Sequence, residues 1–169
     1  MADTRGEQIL SRIKTNLDGI PKFNILLEDD TNLLLQDGSL LLLQGDTTLA
    51  VTVYRSRVEP LARGEVPAIV LEPVSDQPND TNFYDVLDWA MRVRVTTFVR
   101  ADVPDNSSDA FTQLVHSKIM NDPTCNGLAL DVTPDRTDFN MYEADVPLGA
   151  ISQDFLVRYR SSRTDLTPA

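Results

Sequence analysis

Residues 121–166 read NDPTCNGLALDVTPDRTDFNMYEADVPLGAISQDFLVRYRSSRTDL, and the fold turns on how this stretch is parsed. Pro123 stops a preceding helix near Asn121, because proline lacks the helical N–H donor and its ring clashes with the preceding turn. Asn126-Gly127 supplies a turn, since both residues tolerate positive φ. Two strands are expected after it, at 128–133 and 151–160, separated by a polar loop. In the second, alternation puts Phe155, Val157 and Tyr159 on one face and Asp154, Leu156, Arg158 and Arg160 on the other. A strand so near the last residue is expected to complete a sheet edge, in its own subunit or in a neighbour's.

The segment before it alternates in the same way. Residues 89–101 make the longest strand candidate, with Met91, Val93, Val95, Thr97 and Val99 on one face and Arg92, Arg94, Thr96, Phe98 and Arg100 on the other. A loop at 104–108 is expected to cap a second helix over 109–121, whose apolar side carries Ala110, Phe111, Leu114, Val115 and Ile119. Shorter strands are predicted at 48–58 and 68–71, the latter closed by Pro73. The polar run 75–82 is expected to be an exposed loop.

The first helix spans residues 3 or 4 to 17. Thr4 and Glu7 have capping-box spacing, and Ile9, Leu10, Ile13 and Leu17 form one apolar stripe. Gly19 permits a left-handed stop, and Pro21 blocks resumption. From Ile25 the chain then reads ILLEDDTN, LLLQDGSL, LLLQGDTT, three units with a period of eight. Asp or Gly in every unit would break a helix, and Asp37-Gly38 is a strong hairpin signal, so 25–47 is predicted as an inserted leucine-rich β-meander. Its three-leucine blocks place aliphatic groups on both faces of a strand. Leu33, Leu34, Leu35, Leu41, Leu42 and Leu43 are therefore candidate interface residues, to be covered by a neighbouring subunit, or else by the rest of this domain. The expected fold class is α+β: mostly antiparallel sheet with two helices packed on one face, plus the meander, in a single domain over 1–169.

At 169 residues a chain buries about 68–70% of its unfolded surface and holds a core without disulfides or metals. Cys125 is the one cysteine, which excludes an internal disulfide framework. The opening residues place no apolar run behind a basic region, so no secretory signal is expected, and the chain is read as soluble and made in a reducing cytoplasm. No run approaches the ~20 apolar residues of a membrane span. A net charge of −11 argues against non-specific nucleic-acid binding, which needs positive surface to displace counterions from phosphates.

Few residues suit catalysis. His116, the lone histidine, sits within a helix and has no Gly-x-Ser-x-Gly serine to partner it. Cys125 follows a helix C-terminus, where the dipole raises a thiol pKa. No glycine-rich phosphate loop is present. Asp29-Asp30 and the set Asp131, Asp135, Asp138 lack the glycine and glutamate positions of a calcium loop, so solvated loops are expected. Neither metal nor cofactor is implied. The arginines are more informative: Arg92, Arg94 and Arg100 share one strand face, and Arg158 and Arg160 share another. If the two strands lie in one sheet, they form a basic patch that meets carboxylates of a neighbouring subunit, or faces a DNA channel. The plain alternative is that they pair with Asp and Glu of the same chain.

The order of elements carries a resemblance. Asp122, Pro123 and Thr124, a short turn, then Gly127, Leu128 and Ala129, a strand, an acidic loop, and a strand with Phe155, Val157, Arg158 and Tyr159 before Asp165 and Leu166 resembles the tail terminator (tail completion) proteins of long-tailed bacteriophages. With the helix at 4–17 and the strand at 90–101 in the expected order, the likeness covers roughly three quarters of the chain; the segment 25–47 falls outside it. The resemblance implies a virion protein of the tail or neck, assembled as a homohexameric ring. Such a ring caps the tail tube, ends its polymerisation and presents a surface to the head–tail connector, while DNA passes through without specific binding. Rival readings are another head–tail joining or tail tube protein, and, from a different class, a small-ligand-binding domain or enzyme with an unrecognised site.

Overall fold

The computed structural model describes residues 3–20, 51–83, 85–100, 104–143 and 147–166. Its elements are helix α1 (Arg5–Leu17), strand β1 (Thr52–Arg55), a 3-10 turn (Arg63–Glu65), strands β2 (Ala68–Phe83) and β3 (Val86–Arg100), helix α2 (Pro104–Met120), and strands β4 (Asp131–Tyr142) and β5 (Leu148–Ser162). The strands form one mixed sheet in the order β1-β2-β3-β5-β4, in which β1 and β2 run parallel and the other pairs antiparallel. The α+β class is as expected. The predicted meander at 25–47, with its six leucines, lies outside the described residues.

Both helices pack on one sheet face. The stripe Ile9, Leu10, Ile13 and Leu17 of α1 and Val115 and Ile119 of α2 close on Val53, Leu71, Met91, Val93, Val95, Val132, Phe155 and Val157 from all five strands. Burying each such side chain stabilises the fold by about 1.5–3 kcal/mol, so the alternation along β3 and β5 dictates which face the helices cover. The Thr4 hydroxyl accepts from the Glu7 N–H, as its capping position requires. The reciprocal half of the box is not made, because the Glu7 carboxylate is drawn to Arg55 on β1. Gly19 takes φ +86, the left-handed stop anticipated for it.

Three segments expected to be loops are regular structure. The run 75–82 belongs to β2 and pairs with β3 beyond a bulge between Pro73 and Ser75. Pro78 is accommodated because β1 covers only Ala68–Leu71, so among the described residues the rest of β2 lies at an edge of the sheet, where proline is found. The acidic stretch after Thr133 likewise continues as β4 to Tyr142, through a bulge between Pro134 and Arg136. Leu128 and Leu130 fall before that strand, in the turn leading to it. Residues 104–108 form the first turn of α2, where Pro104 stands at the opening helical position that suits its fixed φ. The last strand is not an edge: β5 lies between β3 and β4, and β4 closes that side of the sheet.

Candidate interaction surface

The turn that carries the Asp-Pro-Thr and Gly-Leu-Ala elements is tied to α1. Asp122 accepts hydrogen bonds from Arg12 at 2.8 Å, from Asn16 at 3.2 Å and from the Asn126 N–H at 2.8 Å. Burial pushes its carboxyl up, but the Asn126, Arg12 and Asn16 donors outweigh this and hold the pKa below the ordinary value. Arg5 donates to the carbonyls of Leu128 and Gly127 at 2.7 and 3.0 Å. Cys125 and Asn126 both take positive φ, and the cysteine is buried. Burial, with the neighbouring Asp122 charge, lifts its thiol to about 11, which replaces the helix-dipole cause expected from the sequence. This cluster is structural: it docks the first helix onto the turn that starts β4.

The face away from the helices is polar and ordered by register. Arg92, Arg94, Arg100, Arg158 and Arg160 all fall on it, since β3 and β5 are adjacent and directly paired residues share a face. The structure therefore brings the two predicted arginine groups together. It also supplies them with carboxylates. Across the four strands β2, β3, β5 and β4 runs the row Glu72, Arg94, Asp154, Arg136, alternating in sign. Asp154, only 2% exposed, accepts from the Arg94 guanidinium at 2.7 and 2.9 Å, with Arg136 at 3.8 Å. The Arg94 hydrogen bonds hold the Asp154 pKa below the ordinary range against burial. Arg160 pairs with Asp88 at 2.6 Å, and Arg92 with Asp135 at 3.0 Å. Arg100 and Arg158 form no ion pair among the described residues. The face is thus a charge-compensated lattice, with fewer free cations than the arginine count alone suggested.

What sequence reasoning missed lies on β4. Phe139 is 61% exposed and Tyr142 54%, with Leu130 and Met141 nearly half exposed. Phe139 pairs with Ile151 and Met141 with Gly149, so both stand on the helix-bearing side of the sheet; Tyr142 and Leu148 stand on the charged side. Beyond β4 no described strand continues the sheet, so among the described residues its outer N–H and C=O groups are an open ladder. The alternating Phe139-x-Met141 pattern was the available signal, hidden by the proline and four acidic residues in the surrounding stretch.

On the charged face, residues 56–67 leave β1 and return to β2 as an ordered excursion. Glu65 is its anchor, accepting from Arg57 at 2.9 Å twice, from the Tyr54 hydroxyl at 2.9 Å and from the Ala62 N–H at 2.6 Å. These donors, Arg57 foremost, lower its pKa to about 2. Arg57 also lies 4.3 Å from the centre of the Tyr54 ring. Beneath the excursion is a cavity of about 360 Å³.

Among the described residues no three His, Cys, Asp or Glu side chains are placed to hold a metal ion, and no helix is long and apolar enough to cross a membrane. His116 is exposed on α2, its ring 6.4 Å from that of Phe155. The chain matches no protein-family model and no curated protein.

Proposed function

We propose that this chain is a structural virion subunit of the tail terminator kind, which assembles as a ring, caps the tail tube, ends its growth and meets the head connector. The observation that carries this reading is the open β4 edge with Phe139, Met141 and Tyr142 exposed along it. An unpaired edge bearing large apolar side chains is a surface for another chain, because both its ladder groups and its hydrocarbon gain from being covered.

Ring closure needs two different surfaces on one subunit, so that each copy offers one patch to the next. The outer side of β2 beyond Leu71, at the opposite end of the sheet, is the complementary candidate. The resemblance in order of elements supports the family, and the compensated arginine face suits a channel past which DNA slides without adhering. The leucines at 33–35 and 41–43 are the proposed additional contacts.

Light scattering on the purified chain, alone and mixed with tail-tube protein, tests the reading. A terminator remains a monomer or small closed oligomer alone and limits tube length when added. Spontaneous growth into long tubes would instead identify a tube protein, and indifference to tube protein would remove the assembly role.

A further inference from the structure

The cavity under residues 56–67 has a size typical of small-ligand sites. Its floor is apolar, from Val70 on β2, Phe98 on β3 and Leu148 on β5, and its cover includes Leu61 and Val66. Four charged side chains also line it: Arg57, Glu59, Glu72 and Arg100. They are not equivalent. Arg57 is committed to Glu65 through two hydrogen bonds. Glu72 stands across the ladder from Arg94 and contributes to that residue's electrostatic environment. Arg100 has no such partner among the described residues. Its Nε is shut off from solvent with no hydrogen-bond acceptor among the described residues.

Nε itself offers a ligand no surface, but Arg100 lines the cavity without a carboxylate partner among the described residues, and a planar anion pairs with such a guanidinium. Two features narrow the anion. Glu59 and Glu72 share the cavity wall, so a doubly charged phosphate meets repulsion that a single carboxylate largely escapes. Apart from Thr96, whose hydroxyl is engaged with Ser152, the remaining wall is hydrocarbon, so the body behind the charge must be apolar to gain from burial. The geometry points to a binding site for a monocarboxylate carried on an apolar body, its carboxylate on Arg100 and its hydrocarbon against Phe98, Val70 and Leu148. The same chemistry is offered by a free aromatic or aliphatic acid and by the carboxyl end of an apolar peptide. This site is separate from the β4 edge, and it stands or falls independently of the assembly reading.

Titration of the full chain with 4-phenylbutyrate, followed by two-dimensional NMR and calorimetry, tests it, with 4-phenylbutanol as the uncharged match. The acid is expected to shift resonances of Phe98, Leu148 and Val70 and to bind at least about tenfold more tightly than the alcohol, roughly 1.4 kcal/mol. Arg100→Gln is expected to abolish that preference. Because Arg100 makes no ion pair or side-chain hydrogen bond among the described residues, the variant should keep the parent melting temperature in the absence of ligand. Equal binding of acid and alcohol overturns the proposal, as does the absence of any shift at about 10 mM acid, a concentration above any useful Kd. The acid–alcohol comparison needs no variant and decides even if Arg100→Gln fails to fold. A short peptide ending in Leu-Phe, as free acid and as amide, separates the sources. Tighter binding of the free-acid peptide than of 4-phenylbutyrate assigns the site to protein termini, and weaker binding assigns it to small acids.

Discussion

Arg94 on β3 and Asp154 on β5 stand directly opposite each other, and the guanidinium grips the carboxylate through both Nε and a terminal nitrogen. The acid is almost wholly buried and the base is 27% exposed, so the pair sits at the covered centre of the charged row. Removing Arg94 leaves the buried Asp154 with only Arg136, 3.8 Å away, whereas removing Asp154 leaves Arg94 partly in water. Arg94→Met should cost up to about 3–5 kcal/mol and Asp154→Leu less, whereas the double variant should recover most of the larger loss. Urea denaturation of the four proteins measures the coupling; simple additivity of the two losses would show that the pair is not the unit described here.

Acid should destabilise the fold within a defined window. Glu7, Glu65, Asp122 and Asp154 all have folded pKa values below their ordinary 4.5 or 3.8, so the unfolded chain binds their protons more tightly. Their stabilisation is complete above those ordinary values and is lost as pH falls toward the folded ones, about 2 for Glu65. Asp76 has the opposite sign, because burial raises its pKa and protonation relieves that cost. Four groups against one give a melting temperature that is flat from about pH 7 to 5 and declines between about 4.5 and 2. Circular dichroism melts across that range check it, and a rise on acidification from about pH 5 to 3 contradicts it.

Asp122 links α1 to the turn before β4 through three donors. Asp122→Ala removes hydrogen bonds to a charged acceptor and should destabilise by about 1.5–3 kcal/mol. Hydrogen exchange should show the added opening concentrated in α1 and in residues 121–129, not in β3.

Gly6 lies in the first turn of α1, and a methyl group there would sit at ordinary contact distance, 3.5 Å from the Tyr159 hydroxyl and 3.8 Å from an Asp76 oxygen. Alanine fits and restricts the unfolded chain, so Gly6→Ala should stabilise by about 0.5–1 kcal/mol. Chemical denaturation reads this directly; a loss of stability would mean that the Tyr159–Asp76 hydrogen bond, 2.6 Å long, tolerates no neighbour.

Phe139→Lys combined with Met141→Lys places charge on the open β4 edge. Folding stability should change by less than about 1 kcal/mol per site, since Phe139 is mostly in water and Met141 nearly half so. Self-association, and capture of tube protein, should be lost. Retention of both in a folded double variant would move the contact surface elsewhere.

How much of this was legible in the sequence depended on how many signals agreed. Along β3 and β5 apolar and polar side chains alternated with few exceptions (Thr97, Phe98, Leu156), and both the strands and their buried faces followed from it. Along β2 and β4 the prolines at 73, 78 and 134 argued for loops, and the information that overrode them was tertiary: among the described residues both strands border an open side of the sheet, where proline is accommodated. The face shared by the five arginines was readable, but the carboxylates that meet them were not. Asp154 pairs through strand register, and Asp135 reaches Arg92 only because a bulge displaces it. The cavity was invisible from spacing, because its walls come from three strands and a connection whose shape is set by a single acceptor, Glu65.

Two of the three register shifts among the described strands, those beside Pro73 and Pro134, fall at one level of the sheet. Pro73 pairs with Val93, Val93 with Phe155, and Phe155 with Pro134, so a transverse crease with a proline at each margin crosses the strands. A guest strand approaching β4 therefore meets an uninterrupted template only on 136–142. For any segment that pairs there the crease would act as a ruler, setting how long it can be and where it must begin.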